Sequence, residues 1–175
     1  MGDVVMSFDI MSFLMGKVAG GGGSGSKTFL MSGWVKSYGN QADIDGNDVD
    51  LKAGGYGHNV RIAPPAYVAK DGNFPKDSVL KVAITVNTVS PRLKFSLNSS
   101  GTITSKTGLF QQQLTNYFYT TETGSDVLTG TFSNASSQYV EFAPTLLNGN
   151  QDGSENAKIT ITGMSFNDEI IFGTV

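Results

Sequence analysis

Residues 79–97 read VLKVAITVNTVSPRLKFSL, and apolar and polar side chains alternate along this stretch on both sides of Pro91. Such alternation is typical of β-strands that bury one face, because successive side chains of a strand point to opposite faces of the sheet. Proline has no backbone N–H to donate, so Pro91 is expected to separate two strands. We expect each strand to bury its apolar side. The apolar residues of the two strands are Leu80, Val82, Ile84, Val86, Leu93, Phe95 and Leu97.

Short segments with strand-like patterns continue on either side of this stretch, and clusters of glycine, asparagine, aspartate and serine separate them. About eight to ten strands at regular spacing, with no helical period after residue 26, favour an all-β fold, namely a jelly-roll β-sandwich. The further segments are 29–36, 114–119, 127–132, 138–142, 158–162 and 166–172, with weaker patterns at 49–51 and 59–62.

The composition agrees with this architecture and argues against several functions. The chain has 175 residues, enough for one domain with its own core, and its 22 glycines suit a fold with many turns. The absence of cysteine excludes disulfides, thiol catalysis and cysteine-based metal centres. The formal net charge is −3 and the only arginines are Arg61 and Arg92, so a nucleic-acid surface, which needs clustered cations, is not expected.

The first 26 residues differ in composition from the rest of the chain. Ser7 can cap a helix in which Asp9 occupies the favourable first turn, and apolar side chains then recur at helical spacing. Consecutive glycines at 20–23 end this helix and begin a flexible tether. We therefore predict a helical arm at 1–18, a linker of glycine and serine at 19–26, and a jelly-roll body at 27–175.

The predicted arm needs a surface to pack against, because a helix of about a dozen residues is marginally stable alone in water. That surface is either a partner protein or the body itself, if the flexible linker folds back. The apolar runs are too short to span a bilayer, so membrane insertion is not expected. Asp3 and Asp9 stand where a secretory signal would carry basic residues, which predicts synthesis in the cytoplasm without a signal peptide. The expected docking residues are Phe8, Ile10, Met11, Phe13, Leu14 and Met15.

A run of aspartates in the body has two interpretations. Ca²⁺ binds several converging carboxylate oxygens, so a calcium site is one of them. The spacing departs from that of an EF-hand, because Gly46 is the fourth residue of the run and Gly54 stands where the final glutamate should be. A solvated turn of aspartate, asparagine and glycine is therefore favoured over calcium binding. The candidate ligands are Asp43, Asp45, Asp48 and Asp50.

Catalytic groups are scarce in the sequence. His58 is the only histidine and lies in a glycine-rich, turn-like context, and no nucleophile-elbow motif accompanies it. Glu141 is the only acid with a plausible place on a sheet face, whereas glycoside hydrolysis requires a pair of carboxylates. We therefore expect a protein that is not an enzyme and that has no cofactor apart from the possible calcium ion.

Tyrosines and amides offer a binding chemistry instead. Tyr117 and Tyr119 lie two residues apart on one predicted strand, so their rings would share a face at a separation of about 7 Å. Sugar rings stack on such side chains while amides bond the hydroxyl groups. Alternatively, both tyrosines point into the core and Leu114 and Phe118 point outward, and the pattern does not decide between the two faces. The candidate sugar-binding residues are Tyr117, Tyr119, Tyr139 and Asn116.

The strand pattern of the body resembles that of jelly-roll carbohydrate-binding modules. The resemblance rests on residues 27–36, 79–86, 114–119, 127–132 and 157–166, and it implies a jelly roll that binds glycans. Thr162 or Gly163 occupies the place where that family often carries an acid before its last strand, which argues against the family's calcium site. Under this resemblance, the protein would be a carbohydrate-binding module associated with a glycan-degrading system.

Residues 8–23, FDIMSFLMGKVAGGGG, resemble the N-terminal peptides of small virion proteins of tailed bacteriophages, such as head-fibre or tail-associated proteins. That resemblance implies a virion structural protein whose helix docks on a capsid or tail protein while the body projects outward, where it could contact a cell-surface glycan. It also agrees with the expected lack of an export signal. Because clustering raises the avidity of weak sites, we expect a homo-oligomer, and specifically a trimer.

Overall fold

A computed structural model of the chain shows an all-β structure. Its described strands form two antiparallel sheets, and no helix occurs among the described residues, in agreement with the expected β-sandwich for the body. The same residues accordingly contain no helix that is long and apolar enough to cross a membrane. The predicted helical arm, with all its docking residues, the linker and His58 lie outside the described residues. The structure describes residues 34–38, 42–51, 59–64, 74–97, 100–114, 116–133 and 139–175.

Thirteen strands are present in the described residues. One sheet has the strand order β1-β4-β11-β6-β9-β8, and the other has the order β2-β3-β12-β5-β10-β7, with β13 also paired to β12. The strands are β1 (Val35–Tyr38), β2 (Ala42–Asp45), β3 (Asp48–Leu51), β4 (Asn59–Ile62), β5 (Val79–Ser90), β6 (Arg92–Leu97), β7 (Gly101–Ser105), β8 (Gln111–Leu114), β9 (Tyr117–Thr120), β10 (Gly124–Phe132), β11 (Val140–Thr145), β12 (Asn156–Phe166) and β13 (Glu169–Gly173).

The chain passes from one sheet to the other at Pro91. Strand β5 lies in the seven-stranded sheet and β6 in the six-stranded sheet, with only the cis-linked Pro91 between them. The predicted division at this proline is therefore confirmed. The predicted apolar faces are also confirmed, because Leu80 and Ile84 of β5 and Leu93 and Phe95 of β6 are fully buried.

The core lies between the two sheets, because one continuous cluster of buried side chains draws from both. Its largest members include aromatic rings near the ends of several strands. The rings of Phe74 and Phe132 stack with centroids 4.1 Å apart, and Phe166 packs on Phe74 at 5.7 Å. Trp34 is partly buried and meets Phe166 edge-on at 6.0 Å.

The segment 114–119 forms a hairpin rather than the single strand that its pattern predicts. Strands β8 and β9 pair antiparallel, and Asn116 lies in the turn between them. The turn breaks the alternation, so Phe118 is buried at 6% exposure while Leu114 remains 60% exposed. Tyr117 and Tyr119 flank the inward-pointing Phe118 and therefore face outward.

The aspartate run forms a regular β-hairpin rather than the solvated turn that its sequence favours. Strands β2 and β3 form a hairpin, with Asp43 opposite Asp50 and Asp45 opposite Asp48. Only Gly46 and Asn47 form the turn, and Gly46 has a φ of 60°, a conformation that glycine adopts without a Cβ penalty. The apolar residues between the aspartates explain the hairpin, because Val49 and Leu51 are buried.

Candidate functional site

The outer face of the six-stranded sheet carries an unusual concentration of charged and aromatic side chains. On β6, Leu93 and Phe95 point into the core, so the intervening Lys94 and Ser96 project outward together with Arg92. Strand β9 presents Tyr117 and Tyr119 on the same face, since Phe118 between them is buried. The alternation that builds the core therefore also builds this polar outer face.

Glu141 is at the centre of this face. Its position on β11 lies opposite Arg61 of β4 on one side and Ser96 of β6 on the other. Arg61 Nε lies 3.3 Å from Oε2, and Lys94 Nζ lies 3.2 Å from Oε1. Glu141 is only 7% exposed, and a charge at that burial is tolerated only when it is paired. Both oxygens of Glu141 are thus engaged by cations.

Cations also lie over the faces of the tyrosine rings. The Arg61 guanidinium stands 3.8 Å from the centroid of the Tyr139 ring, and Lys94 Nζ stands 5.9 Å from that of Tyr117. Such contacts are attractive because the ring face is electronegative. They link the ion pairs around Glu141 to the aromatic side chains on both flanks.

Arg92 extends the same arrangement toward the far side of the sheet. It is 3% exposed, donates from Nε to the Thr145 hydroxyl at 3.2 Å and donates from one terminal nitrogen to the Tyr117 hydroxyl at 2.8 Å. Its guanidinium also lies 4.9 Å from the centre of the Tyr119 ring. Within the part of the chain that the structure describes, Arg92 forms no ion pair. We call the connected set the outer-face network: Tyr139, Arg61, Glu141, Lys94, Tyr117, Arg92 and Tyr119.

A groove with a volume of about 350 Å³ opens over the middle of this network. That volume is in the range of small-ligand sites. Leu114 from the β8–β9 hairpin and Gly149 from the loop after β11 contribute to its walls. The polar and aromatic lining comprises Lys94, Ser96, Asn116, Tyr117, Tyr139 and Glu141.

The predicted sugar-binding residues are divided between two cavities. Tyr117, Tyr139 and Asn116 line the groove together, although Tyr117 is on β9, Tyr139 directly precedes β11, and β6 lies between these two strands. Tyr119 shares a face with Tyr117 but lines a separate cavity of about 90 Å³ beside Gln111 and Glu122. The aromatic pair that one groove brings together is therefore Tyr117 and Tyr139.

Sequence reasoning missed the cations of the site. Arg92, Lys94 and Ser96 alternate with the core residues of β6, so the pattern of residues 92–97 already placed them on one outer face. The pattern does not show which strands lie beside β6, because nothing in the sequence indicates that β6 lies between β11 and β9. Gly149 was also missed, since its role comes from loop position rather than from a motif.

The aspartates of the predicted calcium site lie on the β2–β3 hairpin of the other sheet. Asp50 Oδ2 is 3.3 Å from Lys158 Nζ, and Asp48 Oδ1 accepts a hydrogen bond from the Thr160 hydroxyl at 2.7 Å. Among the described residues, no group of three or more acidic or histidine side chains is arranged to hold a metal ion. Calcium binding by Asp43, Asp45, Asp48 and Asp50 stays a prediction.

No protein-family model matches the chain, and no curated protein or solved structure shows significant similarity to it.

Proposed function

We propose that the body is a saccharide-binding β-sandwich of the jelly-roll type, and that the N-terminal arm displays it on a bacteriophage virion. The observation that carries the binding part is the groove in which Tyr117 and Tyr139 flank charged and amide side chains. The half-buried Tyr117 ring offers a stacking surface to sugar C–H groups, whereas Tyr139 is 8% exposed, carries Arg61 on one face and forms part of the groove wall. Lys94, Asn116 and Ser96 offer hydrogen bonds to hydroxyl groups. This combination of surfaces is the ordinary chemistry of a small polar ligand site.

The expected affinity of one groove is low. A stacked ring contributes on the order of 1 kcal/mol beyond simple burial, so the Tyr117 ring and a few hydrogen bonds support binding no tighter than the millimolar range. Several linked copies raise the effective concentration and thereby the avidity. A trimer, or many copies on one particle, would turn such weak sites into firm attachment to a cell surface.

The display part of the proposal rests on the sequence of the arm. Residues 8–23 resemble N-terminal peptides of phage virion proteins, and the predicted linker of glycine and serine at 19–26 would separate the body from a docked helix. The partner would be a capsid or tail protein. A carbohydrate-binding module of a glycan-degrading system is the alternative, favoured by the strand pattern of the body alone. Mass spectrometry of purified virions distinguishes the two, because only the first predicts the chain in the particle.

A glycan array probed with the full chain and single variants tests the binding part. Tyr117→Ala and Tyr139→Ala are each expected to abolish array signals, because each removes one wall of the groove. Tyr119→Ala is the matched control, since this ring lies on the same face but in the other cavity. Unfolding is monitored by circular dichroism in all three variants. Loss of signal with Tyr119→Ala alone, or retention with both other variants, would place the site elsewhere.

A further inference from the structure

We propose that the groove selects acidic saccharides, and that it recognises the carboxylate or sulfate group of the sugar. This inference rests on the proposed saccharide binding and adds the class of sugar. It follows from the charges of the outer-face network, from the way Glu141 and Arg92 are bonded, and from the donors that Lys94 and Tyr117 present to the groove.

The network is locally cationic in an acidic protein. Arg61, Arg92 and Lys94 carry positive charges there, and Glu141 is its single carboxylate. The whole chain has a formal net charge of −3, and Arg61 and Arg92 are the only arginines in it. Lys94 and Glu141 line the groove itself, and the Arg92 guanidinium lies against Tyr117 and Gly149 of its wall. A local excess of positive charge attracts ligands of opposite charge.

Glu141 does not neutralise Arg92. One of its oxygens pairs with Arg61 and the other with Lys94, so a single negative charge serves two cations. Arg92 is buried against hydroxyl groups and has no carboxylate partner among the described residues. A buried cation without a counter-ion is costly, and a bound anion nearby would lower that cost.

Arg92 also prepares Tyr117 to donate a hydrogen bond. The Tyr117 oxygen accepts the charge-assisted bond from Arg92 at 2.8 Å, which leaves the hydroxyl hydrogen for another acceptor. Gly149, on the groove wall, lies against the same guanidinium, because a Cβ at that position would stand 3.6 Å from the Arg92 nitrogen. The Arg92 charge is therefore placed directly behind Tyr117 and the adjoining wall of the groove.

Lys94 and Tyr117 both present hydrogen-bond donors to the groove. Lys94 has three N–H groups and uses one toward Glu141, and Tyr117 adds its O–H. The carboxylate oxygens of Glu141, the strongest acceptors of the lining, already receive bonds from cations. A neutral sugar hydroxyl needs acceptors as well as donors, whereas a carboxylate or sulfate is purely an acceptor. The donor set thus fits an anionic group better than a neutral one.

The test measures binding of the full chain to sugars in matched acidic and neutral pairs. These pairs are tetragalacturonate with its methyl ester and sialyllactose with lactose. Sulfated and desulfated chondroitin oligosaccharides, both of them acidic, form a separate comparison. We expect at least tenfold tighter binding of the acidic member of any pair that binds, with an affinity that falls as salt rises from 50 to 500 mM. The chondroitin pair separates the two anions, because the desulfated form keeps its carboxylates.

Lys94→Gln is expected to reduce the preference for the acidic member at least tenfold. Lys81→Gln is the matched control, because it removes the same charge from a lysine that pairs with Asp168 on the other sheet. Equal binding of acidic and neutral members with a requirement for Tyr117 would overturn this inference and leave saccharide binding intact. Binding of tetraglutamate as tight as that of the sugars would point to an acidic peptide instead. Binding of no sugar would overturn both proposals.

Discussion

Glu141 holds together two cations that would otherwise repel each other across neighbouring strands. Its carboxylate is nearly buried, and the paired side chains of Arg61 and Lys94 are only 16% and 24% exposed. At this depth, solvent screens the attraction less than it does at an open surface. The residue therefore contributes to the cohesion of β4, β11 and β6 as well as to the charge of the groove.

Glu141→Gln is expected to lower the free energy of unfolding by about 2 kcal/mol. Loss of one partner from a fully buried ion pair costs about 3–5 kcal/mol, and the partial exposure of both cations reduces that figure here. Urea denaturation monitored by tryptophan fluorescence measures the change. Glu169→Gln, at an exposed position on β13, is the control and should change stability by less than about 0.5 kcal/mol. Equal midpoints for the two variants would show that the pairs contribute nothing.

Asp152 supplies a prediction about pH. The Ser154 hydroxyl and backbone N–H donate to its carboxylate at 2.7 and 2.9 Å and hold its pKa below the usual 3.8. Because the folded pKa is depressed, these bonds support the turn above about pH 4 and are lost as pH falls through the folded value. An NMR titration should give a pKa below 3.8, and Ser154→Ala should raise it. A wild-type pKa at or above 3.8 would contradict the bonding.

Among the strands, β12 and β13 approach each other closely at a pair of glycines. Gly163 pairs with Gly173, and a Cβ on Gly163 would collide with the backbone oxygen of Thr174. Gly163→Ala is therefore expected to destabilise the protein by about 1–3 kcal/mol, because the backbone of β13 must shift to admit the methyl group. Thr162→Ala, at the exposed neighbouring position, is the control in the same thermal unfolding assay. An unchanged melting temperature for Gly163→Ala would show that β13 moves at no cost.

Strands β5, β6 and β12 could be predicted from the sequence because one side of each strand is consistently apolar. Lys158, Thr160 and Thr162 alternate with the buried Ile159 and Ile161 as predicted. The pattern failed at residues 114–119, where both sides are apolar enough to be core and a turn at Asn116 resets the alternation.

The groove could be predicted only in part. Tyr117 and Asn116 are close in sequence, so their proximity was visible, whereas Tyr139 reaches the groove through strand pairing. Arg61 and Glu141 are 80 residues apart and meet only because β4 and β11 are neighbours. Local periodicity assigns a side chain to a face, but it does not say which strand lies beside it.

For the whole molecule, the described core and sheets use residues from Trp34 onward. We therefore expect the chain without residues 1–26 to remain β-rich, with a melting temperature within about 3 °C of the full chain, a shift that corresponds to about 1 kcal/mol. Differential scanning calorimetry and circular dichroism measure this. Aggregation of the truncated chain, or a far lower melting temperature, would mean that the arm packs on the body rather than on a partner.

The position of β12 sets the order in which the molecule can form as it is synthesised. This strand pairs with β3 along Ala157–Thr160 and with β5 along Asn156–Phe166, so it joins the two parts of the seven-stranded sheet. Both neighbours leave the ribosome long before residues 156–166 do. Until then, the facing edges of β3 and β5 stay open, and open strand edges invite pairing with other chains. We therefore expect the nascent protein to be prone to pairing with other chains through these two edges until residues 156–166 have emerged.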